Sequence, residues 1–65
     1  MTPAEFWSAR KKLGMTQAAL AAVMGYAGQT AISDIERAET TVPAQAARLM
    51  QAYLRGDRPA DWPGT

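Results

Sequence analysis

Thr16–Arg37, TQAALAAVMGYAGQTAISDIER, is the stretch that decides the fold. Thr16 is a helix-capping residue, and Leu20, Ala21 and Met24 mark an inner face before Gly25. A second segment, from about Gln29 to Arg37, has Ile32 and Ile35 three apart. Two short helices joined by a tight turn must approach closely. Ala21 is small where they would cross, and Gly25 suits a turn that needs positive φ. With the isoleucines turned inward, Gln29, Thr30, Ser33 and Asp34 remain on the outer face of the second helix. That face is short, polar and hydrogen-bonding, as a surface reading base edges in the DNA major groove must be. Any hairpin of two helices could carry the same glycine and a polar outer face. Spacing alone therefore leaves groove reading and a plain structural hairpin both open.

Outward from this stretch the chain continues in the same style. Thr2-Pro3-Ala4-Glu5 is a start signal, with Thr2 as cap, Pro3 at the first helical position and Glu5 completing a capping box. Phe6, Ala9 or Arg10, and Leu13 follow at helical spacing, and Gly14 can end that helix. On the other side, Thr40, Thr41, Val42 and Pro43 open a further helix whose inner face is Ala46, Leu49, Met50 and Tyr53, stopped by Gly56. Asp57–Thr65 holds two prolines and one glycine in nine residues, so it is expected to be mostly extended. The organisation predicted is all-α: a domain over residues 1–56 and a tail over 57–65 that packs on it.

Composition bounds the rest. Sixty-five residues make one domain, and without cysteine neither a disulfide nor a thiolate metal site can staple it. The core must come from helix packing, which the alanine-rich apolar content (48%) suits. No apolar run approaches the roughly 18 residues of a membrane span. The amino end, MTPAEFW, is too polar for a signal peptide, so a cytoplasmic protein without membrane contact is expected. Net charge is +1, a weak signal for nucleic acid by itself. Arg10, Lys11 and Lys12 cluster, either to complement a helix carboxyl end or to meet phosphates. Histidine and cysteine are both absent, which removes the commonest general base, the strongest nucleophile and the usual transition-metal ligands. The carboxylates have no paired spacing. Neither an enzyme nor a metal or cofactor site is expected.

The residues Leu13-Gly14-Met15-Thr16-Gln17, Leu20-Ala21, Met24-Gly25, Ile32-Ser33 and Ile35-Glu36-Arg37 resemble the helix-turn-helix family of Cro and the phage repressors, the XRE type. The resemblance covers about residues 5–55. It implies a compact bundle of four or five short helices, lambda-repressor-like, acting as a transcriptional regulator and often as a dimer. It places Gln17 at the start of the motif's first helix, against a DNA phosphate together with Thr16. Gln29, Thr30 and Ser33 fall where the family touches base edges, and Arg37 where it meets the backbone, with Lys11 and Lys12 as further phosphate contacts. Arg10 and Glu36 match positions that pair across the first and third helices in several relatives. Two features depart from the pattern. Seven residues, Tyr26–Ile32, separate the turn glycine from Ser33 where the family commonly has six, so the start of the recognition helix shifts by one position. Asp61-Trp62 is similar to the start of the family's fifth helix, which Pro63 and Gly64 cut off.

Several residues keep two readings. Gln29 reads adenine or sits exposed, and Asp34 accepts from cytosine or points sideways. Tyr26 packs on the hairpin or donates to a phosphate. Trp7 covers the tail or meets a partner. Trp62 plugs the core, and with Leu54 it is also the apolar candidate for a dimer interface. The function expected is a sequence-specific regulator of double-stranded DNA, a repressor or autoregulator of a small operon such as those of prophages. It would bind a pseudo-palindromic operator as a homodimer, one that forms on DNA if the interface is small. The alternative is an antitoxin- or adaptor-like interaction module that keeps the fold without reading DNA.

Overall fold

Among the described residues, two of the helices start at a threonine side-chain cap, and three are followed by a glycine in the left-handed region. The computed structural model describes residues 1–38, 41–60 and 62. Among these residues the order is α1 (Pro3–Lys12), α2 (Gln17–Met24), α3 (Gln29–Arg37) and α4 (Ala44–Arg55), with no strand. Thr2 Oγ1 accepts from the Glu5 N–H at 3.1 Å, and the Glu5 carboxylate accepts from the Thr2 N–H at 2.7 Å. This reciprocal box satisfies two otherwise orphaned donors at the start of α1. At α2 the cap is one-sided: Thr16 Oγ1 accepts from the Ala19 N–H at 3.0 Å.

The carboxyl ends of α1, α2 and α4 share one device. At the end of α2, Gly25 has φ 86°, its N–H donates to the Ala22 carbonyl, and the next N–H, of Tyr26, donates to the Ala21 carbonyl at 2.9 Å. Glycine carries this left-handed position at no steric cost. No atom lies within 4 Å of where a Cβ would stand there, so backbone strain alone resists a side chain. Tyr26, the residue after the cap, is half-buried against the core. Of its two readings, packing is the one the structure shows.

The core takes one fully buried large side chain from each helix: Phe6, Leu20, Ile32 and Met50. Smaller residues at the crossings, Ala9, Ala21 and Ala46, let the helices come close. Helix α2 packs against α3, and α1 packs against both α3 and α4. The expected inner face of α4 is there, although Leu49 is half-buried while Ala46, Met50 and Tyr53 are buried. The α3–α4 connection is tied to the chain's start through the Val42 N–H, which donates to the Met1 carbonyl at 3.1 Å. Thr40, expected among the residues opening α4, lies outside the described residues, as do Asp61, Pro63 and Gly64 of the abbreviated fifth helix.

Trp62 requires a correction. It was a candidate for a dimer surface, yet it is 6% exposed and its ring meets Tyr53 edge-on with centroids 4.9 Å apart. Its apolar surface is already covered by its own chain, as the plug reading had it. Among the described residues, Leu54 and Trp7 are the exposed large apolar side chains. No helix of the described residues is long and apolar enough to cross a membrane.

Candidate nucleic-acid interface

The relation between α2 and α3 is fixed by a buried polar clamp. Arg10, on α1, is buried, and its Nε donates to Glu36 Oε2 at 2.6 Å while Nη2 donates to Oε1 at 3.1 Å. The remaining Nη1 donates to the Met15 carbonyl at 2.9 Å. Gln17, the first residue of α2, sends its Nε2 to Glu36 Oε1 at 3.1 Å. Glu36 on α3 is thus held by donors from α1 and α2, and Arg10 also holds the loop between them. A planar guanidinium suits this, because its fixed fork serves a carboxylate with two N–H groups and a carbonyl with a third. No buried side-chain nitrogen or oxygen of the described residues lacks a hydrogen-bond partner. The clamp is therefore satisfied as a whole, as a buried network must be.

The clamp leaves the other side of α3 outward. Gln29 and Thr30, at its first two positions, are exposed, and Ser33 is half-buried. No side chain caps the start of α3, where Gly28 is the preceding residue, so its first N–H groups have no side-chain partner. The longer turn is accommodated ahead of the helix: Gly25, Tyr26, Ala27 and Gly28 precede Gln29. Asp34 points sideways, its Oδ1 accepting from Arg37 Nη2 at 2.6 Å on the exposed surface.

The expected phosphate residues divide in two. Thr16 and Gln17 stand together at the start of α2. The Thr16 oxygen accepts from its own helix, which leaves the O–H free to donate, and one amide hydrogen of Gln17 remains after its bond to Glu36. Lys11 and Lys12 are exposed at the end of α1. The Lys11 ammonium lies 5.4 Å from the centre of the Trp7 ring. Lys12 is about 200° round α1 from Arg10, so it faces away from α3. It borders a groove with Met1, Glu5 and Leu54 instead. Three features escaped the sequence reading: the Gln17–Glu36 bond, the Arg10 bond to the Met15 carbonyl, and the Arg58 guanidinium 4.7 Å over Trp62. The last had a signal in the spacing Arg-x-x-x-Trp.

Two short helices locked across a glycine-capped turn, the second with its polar side open, define a helix-turn-helix domain. A helix-turn-helix family model matches residues 8–59, and the chain belongs to that family, of the XRE type. It is a DNA-binding helix-turn-helix regulator. No curated protein and no solved structure matches it significantly.

Proposed function

We propose that the chain is a sequence-specific regulator that lays α3 in the major groove of double-stranded DNA. Gln29, Thr30 and Ser33 contact base edges, and Thr16, Gln17 and Arg37 contact phosphates. Lys11 and Lys12 add to the local positive field without a base contact. The observation that carries this reading is the buried clamp, which rigidly fixes α3 on α2 with an exposed polar amino end. A side chain that reads a base must be held in place before it binds. Glutamine at that end can serve adenine through two hydrogen bonds.

One recognition helix touches too few base pairs to find a site in a genome. Two copies on a pseudo-palindrome, with half-sites about 10 base pairs apart, solve this. Leu54, half-exposed at the end of α4, is the apolar residue available to such a pair. A cytoplasmic repressor or autoregulator of a small operon, as in a prophage, follows from this mode of binding. The Asp34–Arg37 pair favours a second reading, because it brings a carboxylate to the recognition face and ties up a cation there. A fold retained for protein contact alone would tolerate that.

Selection of bound duplexes from a random pool, followed by titration, separates the two. The DNA reading expects an enriched site with internal two-fold symmetry. Gln29→Ala should lose about 1–3 kcal/mol on that site and far less on unrelated duplex. Equal losses on both would remove Gln29 from the base-reading set, and no enrichment would favour the interaction module.

A further inference from the structure

The segment after α4 returns to the body of the protein and carries a cation with it. The Trp62 N–H donates to the Pro59 carbonyl at 3.1 Å, and the indole is buried beside Tyr53. The Arg58 guanidinium lies over this ring, 4.7 Å from its centroid. Arg58 is exposed, and among the described residues no carboxylate pairs with it, whereas neighbouring Arg55 is paired with Asp57. Arg58 and Trp62 line a groove of about 360 Å³ together with Leu13, Met15 and Thr16. The cation therefore borders the same groove as the α1–α2 connection and Thr16, the residue that caps α2.

We propose that Arg58 is a DNA-backbone contact and that Trp62 is its positioning residue, so that the returning segment forms part of the DNA-binding surface. This rests on the DNA reading above, in which the start of α2 meets a phosphate. The guanidinium is held 4.7 Å from the ring centroid, and its N–H groups have no carboxylate partner among the described residues. Those N–H groups can meet a phosphate through two parallel hydrogen bonds. A stacked arginine has also lost much of its rotamer freedom before DNA arrives, so less is lost on binding. The arrangement supplies a charge at the phosphate-facing corner where α2 itself offers the neutral groups of Thr16 and Gln17. Of the nearest cations in sequence, Lys12 borders a different groove, with Met1, Glu5 and Leu54, and the Lys11 ammonium lies 5.4 Å from the centre of the Trp7 ring.

The test is a titration of Arg58→Gln, Arg58→Lys and Gln29→Ala against the selected duplex and an unrelated one, over a salt series. One lost phosphate contact should make the slope of log affinity against log salt shallower by about one unit and weaken binding roughly five- to tenfold near 0.1 M salt. Arg58→Gln is expected to show this on both duplexes, with the melting temperature of the free protein kept. Arg58→Lys should keep the parental slope. Parental slope and affinity in Arg58→Gln, with Gln29→Ala still impaired on the selected duplex, would reject the contact and leave the DNA reading standing. Equal loss of slope in the glutamine and lysine variants, with a lowered melting temperature in both, would make the stack structural and reject the contact as well. A parent protein with no salt-dependent binding would overturn both readings together.

Discussion

Helix α3 takes part in two arginine–carboxylate pairs whose shortest distance is the same and whose surroundings are opposite. Arg10 and Glu36 meet at 2.6 Å with each side chain 7% exposed, whereas Arg37 and Asp34 meet at 2.6 Å with side chains 73% and 62% exposed. In the first, Glu36 also accepts from Gln17 and Arg10 also serves the Met15 carbonyl, so the pair joins three elements of the fold. In the second, both partners are three residues apart on one helix, and water can replace either. The distance does not decide what a pair contributes; desolvation does. Removing one member of a buried pair leaves an uncompensated charge, while exposed pairs contribute about 0–1 kcal/mol at most. The inward pair sets how α3 is held, and the outward pair sets what charge α3 shows to a ligand.

The largest effect is expected from breaking the inward pair. Glu36→Ala leaves Arg10 buried without its carboxylate and removes the partner of Gln17, at a cost of about 3–5 kcal/mol. A domain of this size has little more than that in total. The variant should be unfolded or nearly so at room temperature by circular dichroism, and a melting curve within a few degrees of the parent would mean that the clamp is solvated. The double variant Arg10→Met, Glu36→Leu sharpens the point. Removing both charges should restore much of the loss. Recovery should be incomplete, because the Met15 carbonyl then has no buried donor.

The outward pair should respond in the opposite way. Arg37→Ala is expected to change unfolding free energy by no more than about 0.5 kcal/mol, the range of ordinary surface substitutions. On DNA it should weaken all sequences alike and reduce the salt slope by about one unit. Asp34→Asn removes a carboxylate from the face proposed to meet DNA, so on that reading it should strengthen binding to every duplex. An unchanged slope in Arg37→Ala would mean that its charge serves Asp34 alone. A melting temperature lowered as far as in the inward variants would erase the distinction between the two pairs.

Much of this arrangement was legible in the sequence because it rests on local rules. The capping box of α1, the threonine cap of α2, the glycines after α1, α2 and α4, and Ile32 with Ile35 each follow from residues a few positions apart. The fourfold core of Phe6, Leu20, Ile32 and Met50 follows from the same periodicity. What was not legible depends on tertiary geometry. Gln17 was expected to face a phosphate, and nothing local shows that its amide reaches Glu36, nineteen residues on. Lys12 adjoins Lys11 in sequence, yet the turn of the helix sends it to the side away from α3. Trp62 gave two readings because an apolar residue in a proline-rich tail suits burial and association equally. Its burial depends on Tyr53 being placed to receive it.

The smallest effect belongs to a third charged group, which is local and fully in water. Glu5 accepts from the Thr2 N–H at 2.7 Å, and this backbone bond, followed by the bond with the Thr2 side chain, holds its carboxyl below the ordinary glutamate value. A carboxyl with a depressed folded value stabilises the folded state above its unfolded value, and loses that contribution as pH falls through the folded one. The contribution of Glu5 is therefore complete near neutrality and disappears in acid below the ordinary glutamate range, about pH 4.3. Glu5→Gln should melt slightly below the parent at pH 7, and the two curves should converge as the pH is lowered towards 3. The shift should be far smaller than in Glu36→Ala, because solvent screens the group and the bond closes only the first turn of α1. Melting curves separated by a constant interval across that pH range would show that the ionised carboxylate adds nothing at the start of α1, and that glutamine differs there for another reason. Convergence would place Glu5 with Arg37 and Asp34, among charges that adjust the surface, and apart from Arg10 and Glu36.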